Sequence, residues 1–263
     1  MTTTAATDQH ALRHNASVRA VLFDLSGTLL HERYLHHGLE HLAAALHQRW
    51  EIDPTVTRTR FMMAFRAVSH EYADQAFYLM RDVICRALEQ LIVSCGHSPT
   101  RNELIHLEQL LWTAAIPTAT PTDGAIEVLT RLRNAGIRTG IVSYADIPVF
   151  EALLKLTGLA GTTDVEICSE VARSCKPHPE IFHKALRSIN VDPSDAMFVG
   201  DDADTDIVGG NRIGMRTALL SARQFTVGGG STNGSETQPD HHLDGLHDVI
   251  NIVMSNDAHR RCA

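Results

Sequence analysis

The stretch VLFDLSGTLL, residues 21–30, decides how the rest of the chain is read. It completes an apolar run from Val18 to Phe23, then turns abruptly polar and glycine-containing from Asp24 to Thr28. A strand buried on both faces of a parallel sheet reads as a continuous apolar run rather than as an alternation. Working outward, the pattern changes. Between 31 and 118, apolar residues recur at helical spacing over 39–50, 56–72, 77–93 and 103–115, and Asp53-Pro54 and Ser98-Pro99 punctuate the helix starts. No strand is expected in that interval. After Pro117 and Pro121 the rhythm alternates. Helices are expected over 125–134, 147–156, 180–188, 204–212 and 243–254, and strands over 137–143, 165–168, 196–200 and 216–220. Such alternation implies a parallel sheet covered on both faces.

The expected fold is therefore α/β. A Rossmann-like parallel sheet core is formed by 18–30 and 119–255, and an all-helical domain is inserted at 31–118. Residues 1–17 read as a mobile tail, and the Gly/Ser/Thr-rich stretch 226–240 as a flexible loop within the core. Met62, Met63 and Phe65 read as core of the helical insertion, and Gly209 with Gly210 as the close packing of a helix on the sheet.

Composition narrows the function classes. With 44% hydrophobic and 21% charged residues among 263, the chain can bury a core and is expected to be soluble. Lys+Arg 23 against Asp+Glu 31 gives −8, which argues against a nucleic-acid surface. No apolar run approaches the roughly 18 residues of a membrane span, and the start shows no secretory pattern. Cys85, Cys95, Cys168, Cys175 and Cys262 are odd in number and form no CxxC, so they read as reduced thiols of a cytoplasmic protein.

Parallel sheets of this kind bind ligands at the carboxyl ends of their strands. There the sequence places Asp24, Ser143 and Asp201, with Lys176 in a loop before a helix and Asp202, Asp204 and Asp206 following closely. Clustered carboxylates repel and raise one another's pKa, and a divalent cation relieves this. Mg2+ takes carboxylates together with phosphate oxygens and water. A metal site that handles a phosphate is the expectation. Taken singly, each residue has a plainer reading. Asp24 alone suits a turn, Ser143 a strand end, Lys176 the surface, and Asp201 to Asp206 the acidic first turn of a helix.

Four segments in order, VLFDLSGTLL (21–30), GIVS (140–143), SCKPHPEIF (174–182) and FVGDDADTD (198–206), change that balance. The chain resembles the haloacid dehalogenase (HAD) superfamily of hydrolases with a helical, C1-type cap inserted after the first strand. The resemblance implies a Mg2+-dependent enzyme in which the Asp24 carboxylate attacks phosphorus and forms an aspartyl-phosphate. Ser143 would hydrogen-bond the transferring phosphoryl group, and Lys176 would neutralise nucleophile and phosphate. Asp201 would bind the metal with Asp24 and the Ser26 carbonyl, supported by Asp206. The backbone of Leu25, Ser26 and Gly27 would cradle phosphate oxygens, with Tyr144 beside Ser143 at the substrate.

One position departs from the family pattern. Most phosphatases of the superfamily carry a second Asp two residues after the nucleophile, where this chain has Ser26. A hydroxyl is a poor acid or base near neutral pH, and general acid–base help is worth about 10²–10⁴-fold. The expectation is a phosphatase of a small phosphorylated metabolite. Two alternatives stand beside it: non-phosphatase chemistry on the same scaffold (a phosphate or diphosphate lyase, or a dehalogenase), or a catalytically weak phosphate-ligand-binding protein. The intact spacing from Gly200-Asp201 to Asp206 argues against dehalogenation. Lys155, Lys176 and Lys184 are the only lysines, so no Schiff-base lysine is available from the insertion. His31, His36, His37 and His41 lack a third ligand at fitting spacing and read as solvated or substrate-contacting, with Tyr34 near the hinge lining the pocket. Neither a nucleic-acid nor a membrane partner is expected, and oligomeric state stays open.

Overall fold

The computed structural model describes residues 17–221 and 238–261. Of the expected tail over 1–17 and the expected loop over 226–240, residues 1–16 and 226–237 lie outside the described residues. Six strands form one parallel sheet: β1 (Ala20–Phe23), β2 (Arg138–Ser143), β3 (Val165–Cys168), β4 (Ala196–Gly200), β5 (Arg216–Leu220) and β6 (His241–Leu243). Their order is β3-β2-β1-β4-β5-β6, and every neighbouring pair is parallel. All four residues of β1 are buried, as a central strand covered on both faces requires. Phe23 pairs with Ile141 on one side and Val199 on the other. That register brings Ser143, the last residue of β2, and Asp24 and Asp201, just past β1 and β4, to one edge. It is also the edge where the strand order reverses, the usual ligand position in open α/β sheets.

Helices α1 (Arg33–Trp50), α2 (Pro54–Glu71), α3 (Met80–Ser94) and α4 (Arg101–Ala115) follow β1 and contain no strand. Asp53 caps α2 by accepting from the Thr55 amide at 2.8 Å, and Thr100 with Glu103 forms a capping box on α4. These four helices share a hydrophobic core of their own, which includes Leu42, Leu46, Val68, Leu88 and Ile92. Met62 and Phe65 pack against it, whereas Met63 is 66% exposed and is not core. The chain leaves and re-enters the sheet layer side by side. Leu30 bridges Pro121, and the His31 amide donates to Thr120.

The sheet is covered by α5 (Ala125–Asn134), α6 (Ile147–Thr157), a single turn α7 (Ser169–Ala172), α8 (Pro179–Ile189), α9 (Val208–Ile213) and α10 (His247–Arg261). Helix α1 begins at Arg33 rather than 39, and three further boundaries differ for reasons the structure shows. The closing helix starts later, because 241–243 adds a sixth strand whose Leu243 carbonyl accepts from Ser221. The helix expected over 204–212 opens as a wide π turn at Ala203–Ile207, where the Asp202 side chain accepts from the Asp204 amide. The third inserted helix begins at Met80 rather than 77, because Ala76 hydrogen-bonds to the sheet domain through the Cys175 amide. No helix of the described residues is long and apolar enough to cross a membrane.

Gly210 makes the close approach to the sheet expected of the pair, a Cβ there lying 2.7 Å from Thr217 of β5, whereas Gly209 faces the neighbouring helix α8. A Cβ on Gly209 would lie 2.4 Å from the fully buried Phe182 ring. Gly209→Ala therefore forces a core shift, which costs about 1–3 kcal/mol. Urea denaturation should show a lowered midpoint, partly recovered when Phe182→Leu is added. An unchanged midpoint for Gly209→Ala would contradict this packing.

Candidate active site

The loop after β1 sets the site. The Asp24 amide donates to the Val199 carbonyl at 2.9 Å, which ties the first residue beyond β1 to β4. Gly27 takes φ +89, and a Cβ on it would lie 2.2 Å from Asp201 Oδ2. Only glycine fits between this loop and Asp201. Thr28, fully buried one residue on, donates its hydroxyl to Asp201 Oδ1 at 3.2 Å.

Lys176 enters from the loop before α8. Its ammonium pairs with Asp24 and, at 2.7 Å, with Asp206 Oδ1. All three side chains are buried. The wide turn at 203–207 aims Asp206 inward, where its Oδ2 accepts from the Asp202 amide at 3.3 Å. Carboxyl oxygens of Asp24, Asp201 and Asp206 lie within 4.8 Å of one another. Among the described residues no other group of three acids, histidines or cysteines could hold a metal ion. His37 and His41 stack on each other at 4.5 Å with no third ligand.

The electrostatics follow from burial. Desolvation pushes the Asp24 carboxyl up to about 7; Lys176 pulls it down and Asp206 pushes it further up. Asp201 is raised well above the ordinary range by burial, then by Asp24 and Asp206. Burial alone would lower Lys176, but Asp206 and Asp24 overturn that and hold it above its usual value. An all-oxygen cluster under this repulsion fits a hard divalent cation.

The other expected residues are placed as follows. Ser143 ends β2, buried, in register with Cys168. Tyr144 sets its ring edge-on against Tyr78 of the helical module, with centroids 5.5 Å apart. Leu25 is buried, and its amide hydrogen-bonds the Asp24 carboxylate. The Gly27 amide donates to the Leu30 carbonyl at 2.8 Å, so a phosphate contact from Gly27 requires that bond to exchange. The Ser26 hydroxyl shares a 2.6 Å hydrogen bond with the hydroxyl of Tyr34, a buried residue in the first turn of α1.

Glu32, just ahead of α1, was not singled out by the sequence reading. Its half-buried carboxyl is raised to about 7, first by burial, then by the charges of Asp24 and Asp202. The carboxyl group therefore feels the charge of the cluster. No motif or spacing marks it, because its relation to the site comes from the entry angle of α1.

Comparison with known proteins shows the family. A pyrophosphatase, PpaX, of Bacillus velezensis is 26% identical over 242 residues, covering 90% of this chain and 96% of the relative. A ribulose-1,5-bisphosphate 5-phosphatase of Halopiger xanaduensis is 28% identical over 244 residues, covering 89% and 98%. The HAD-hydrolase YfnB from Bacillus subtilis, solved bound to magnesium, shares the fold with a TM-score of 0.72 at 18% identity, covering 90% of this chain and 99% of that one. The family model for haloacid dehalogenase-like hydrolases matches residues 18–214, and the chain belongs to that family.

Proposed function

We propose that this hydrolase is a Mg2+-dependent phosphatase of a small phosphorylated metabolite, acting through an aspartyl-phosphate on Asp24. The observation that carries the reading is the buried Lys176 ammonium shared by Asp24 and Asp206 beside Asp201. It pulls the raised Asp24 carboxyl back toward its charged form and adds positive charge where a phosphoryl group must approach. The phosphatase-named relatives support the same class. Asp24, Asp201 and the Ser26 carbonyl are the groups to hold Mg2+, with Asp206 behind them. When bound, the ion offsets the charge between carboxylate and phosphate.

In this reading an Asp24 oxygen attacks phosphorus and the ester P–O bond breaks. Ser143 donates to a phosphoryl oxygen, and Lys176 stays between nucleophile and phosphate. Water then attacks the same phosphorus, the bond to Asp24 breaks, and the carboxylate is restored. Both steps need a proton carrier, which Ser26 is not. We assign that role to Glu32, which is on the hinge and titrates near neutrality. The helices 31–118 act as a cap that excludes water. The free thiols of Cys85, Cys95, Cys168 and Cys175 are in keeping with a reducing, cytoplasmic setting.

A panel of phosphorylated metabolites assayed with Mg2+ tests the function. Phosphate release from a restricted set is expected, abolished by Asp24→Asn. Glu32→Gln should slow release from alkyl esters by about 10²–10⁴-fold and release from p-nitrophenyl phosphate, with its good leaving group, much less. Tight ligand binding without turnover would favour the binding-protein reading.

A second expectation concerns pH. Asp24 and Glu32 have values raised above their unfolded ones, from 3.8 and 4.5 to about 7, so the ion-free fold holds extra protons across that window. Its stability from these groups falls as pH rises through the window, and an ion must displace the protons to bind. The melting-temperature difference between Mg2+ and EDTA samples should widen from about pH 5 to about pH 8. A difference constant across that range would contradict the assignment.

A further inference from the structure

The helical cap touches the sheet domain at a second place, far along the chain from the hinge. Helix α3 starts at Met80 without a side-chain cap of its own. Its first amides are instead taken from across the boundary. Asp146 Oδ1 accepts from the Met80 amide at 2.8 Å, and Oδ2 from the Arg81 amide at 2.9 Å. A carboxylate on the exposed amides of a helix start is favoured by both hydrogen bonding and the helix dipole. Asp146 is buried, three residues beyond Ser143.

The loop that carries Lys176 grips the same cap segment. The Cys175 amide donates to Ala76 at 2.8 Å, and the Cys175 thiol to Tyr78 at 3.4 Å. The Arg173 guanidinium lies 4.0 Å over the Phe77 ring. The two loops are also joined to each other. Ser169 donates to the Ala145 carbonyl at 2.9 Å, and the Ile147 amide to Glu170 at 2.8 Å. Residues 76–81 thus sit on the loops that bear Ser143 and Lys176, within a few residues of each.

We propose that Asp146 is a positioning residue: by clasping the start of α3 it makes docking of the cap and alignment of Ser143 and Lys176 a single event. The kinetic part of the proposal rests on the phosphatase reading; the structural coupling does not. Asp53 provides an internal comparison. It caps α2 through the same kind of bond to Thr55, but wholly within the cap.

The experiment compares Asp146→Ala, Asp146→Asn and Asp53→Ala, using p-nitrophenyl phosphate with Mg2+ and amide hydrogen exchange without substrate. Asp146→Ala should lower kcat about tenfold or more, the scale of hydrogen bonds to a charged group. Asp146→Asn, which keeps one acceptor, should fall between it and the parent, and remains usable if Asp146→Ala folds poorly. Asp53→Ala should lose thermal stability while keeping kcat. In exchange, the Met80, Arg81 and Cys175 amides should lose protection together in Asp146→Ala, although Cys175 makes no bond to Asp146. The proposal is overturned if Cys175 keeps its protection while Met80 and Arg81 lose theirs, or if activity tracks melting temperature equally in the Asp53 and Asp146 variants. If the parent does not turn over the probe, the phosphatase reading loses support and the exchange comparison alone decides the clasp.

Discussion

One buried ammonium holds the site together. Lys176 is placed between Asp24 and Asp206, with side chains 3%, 9% and 1% exposed. Charges so far from water persist only as a mutually compensating set, and removing one partner typically costs about 3–5 kcal/mol. The fold exists to bring that set together. Asp24 and Lys176 are 152 positions apart, and only the central placement of β1 between β2 and β4 joins them. Even with Lys176 in place the Asp24 and Asp201 carboxyls remain raised, so the cluster is left short of positive charge. That deficit is what suits it to a cation and a phosphoryl group arriving together.

The inserted helices complete this edge. Tyr34 reaches back to the Ser26 hydroxyl, in the position where an acid would otherwise sit, and Glu32 brings a carboxyl from the same hinge. In the proposed function, the acid that the loop lacks at Ser26 is supplied by Glu32 from outside it. At the far side, the segment 76–81 rests on the loops that follow β2 and β3. The helices are anchored at both ends of the strand edge they cover.

Much of this was legible in the sequence because it is written in local patterns. The run 18–23 has the continuous apolarity of a two-sided buried strand, and Asp53-Pro54 sits where α2 starts. The expected acids, Lys176 and Ser143 lie at the same strand edge because strand ends are readable and the register does the rest. What was not legible is carried by contacts between distant segments. The three residues of β6 are too few to show a period, and α3 starts late because residues 76–79 are bound to the sheet domain. The commitment of the Gly27 amide to Leu30, the Thr28 bond to Asp201 and the orientation of Glu32 all depend on how the loop folds back on itself. Met63 was misread because helical spacing marks a face without saying which neighbour covers it.

The claim that Asp24 is the group that bonds to phosphorus can be tested without knowing the substrate. A crystal structure of the protein with Mg2+ and beryllium fluoride, a mimic of an acyl-phosphate, addresses it directly. The account predicts beryllium joined to an Asp24 carboxylate oxygen, with Lys176 and Ser143 within hydrogen-bond reach of its fluorines. Beryllium fluoride on another residue, or absent while Asp24 stays paired with Lys176 alone, would contradict it.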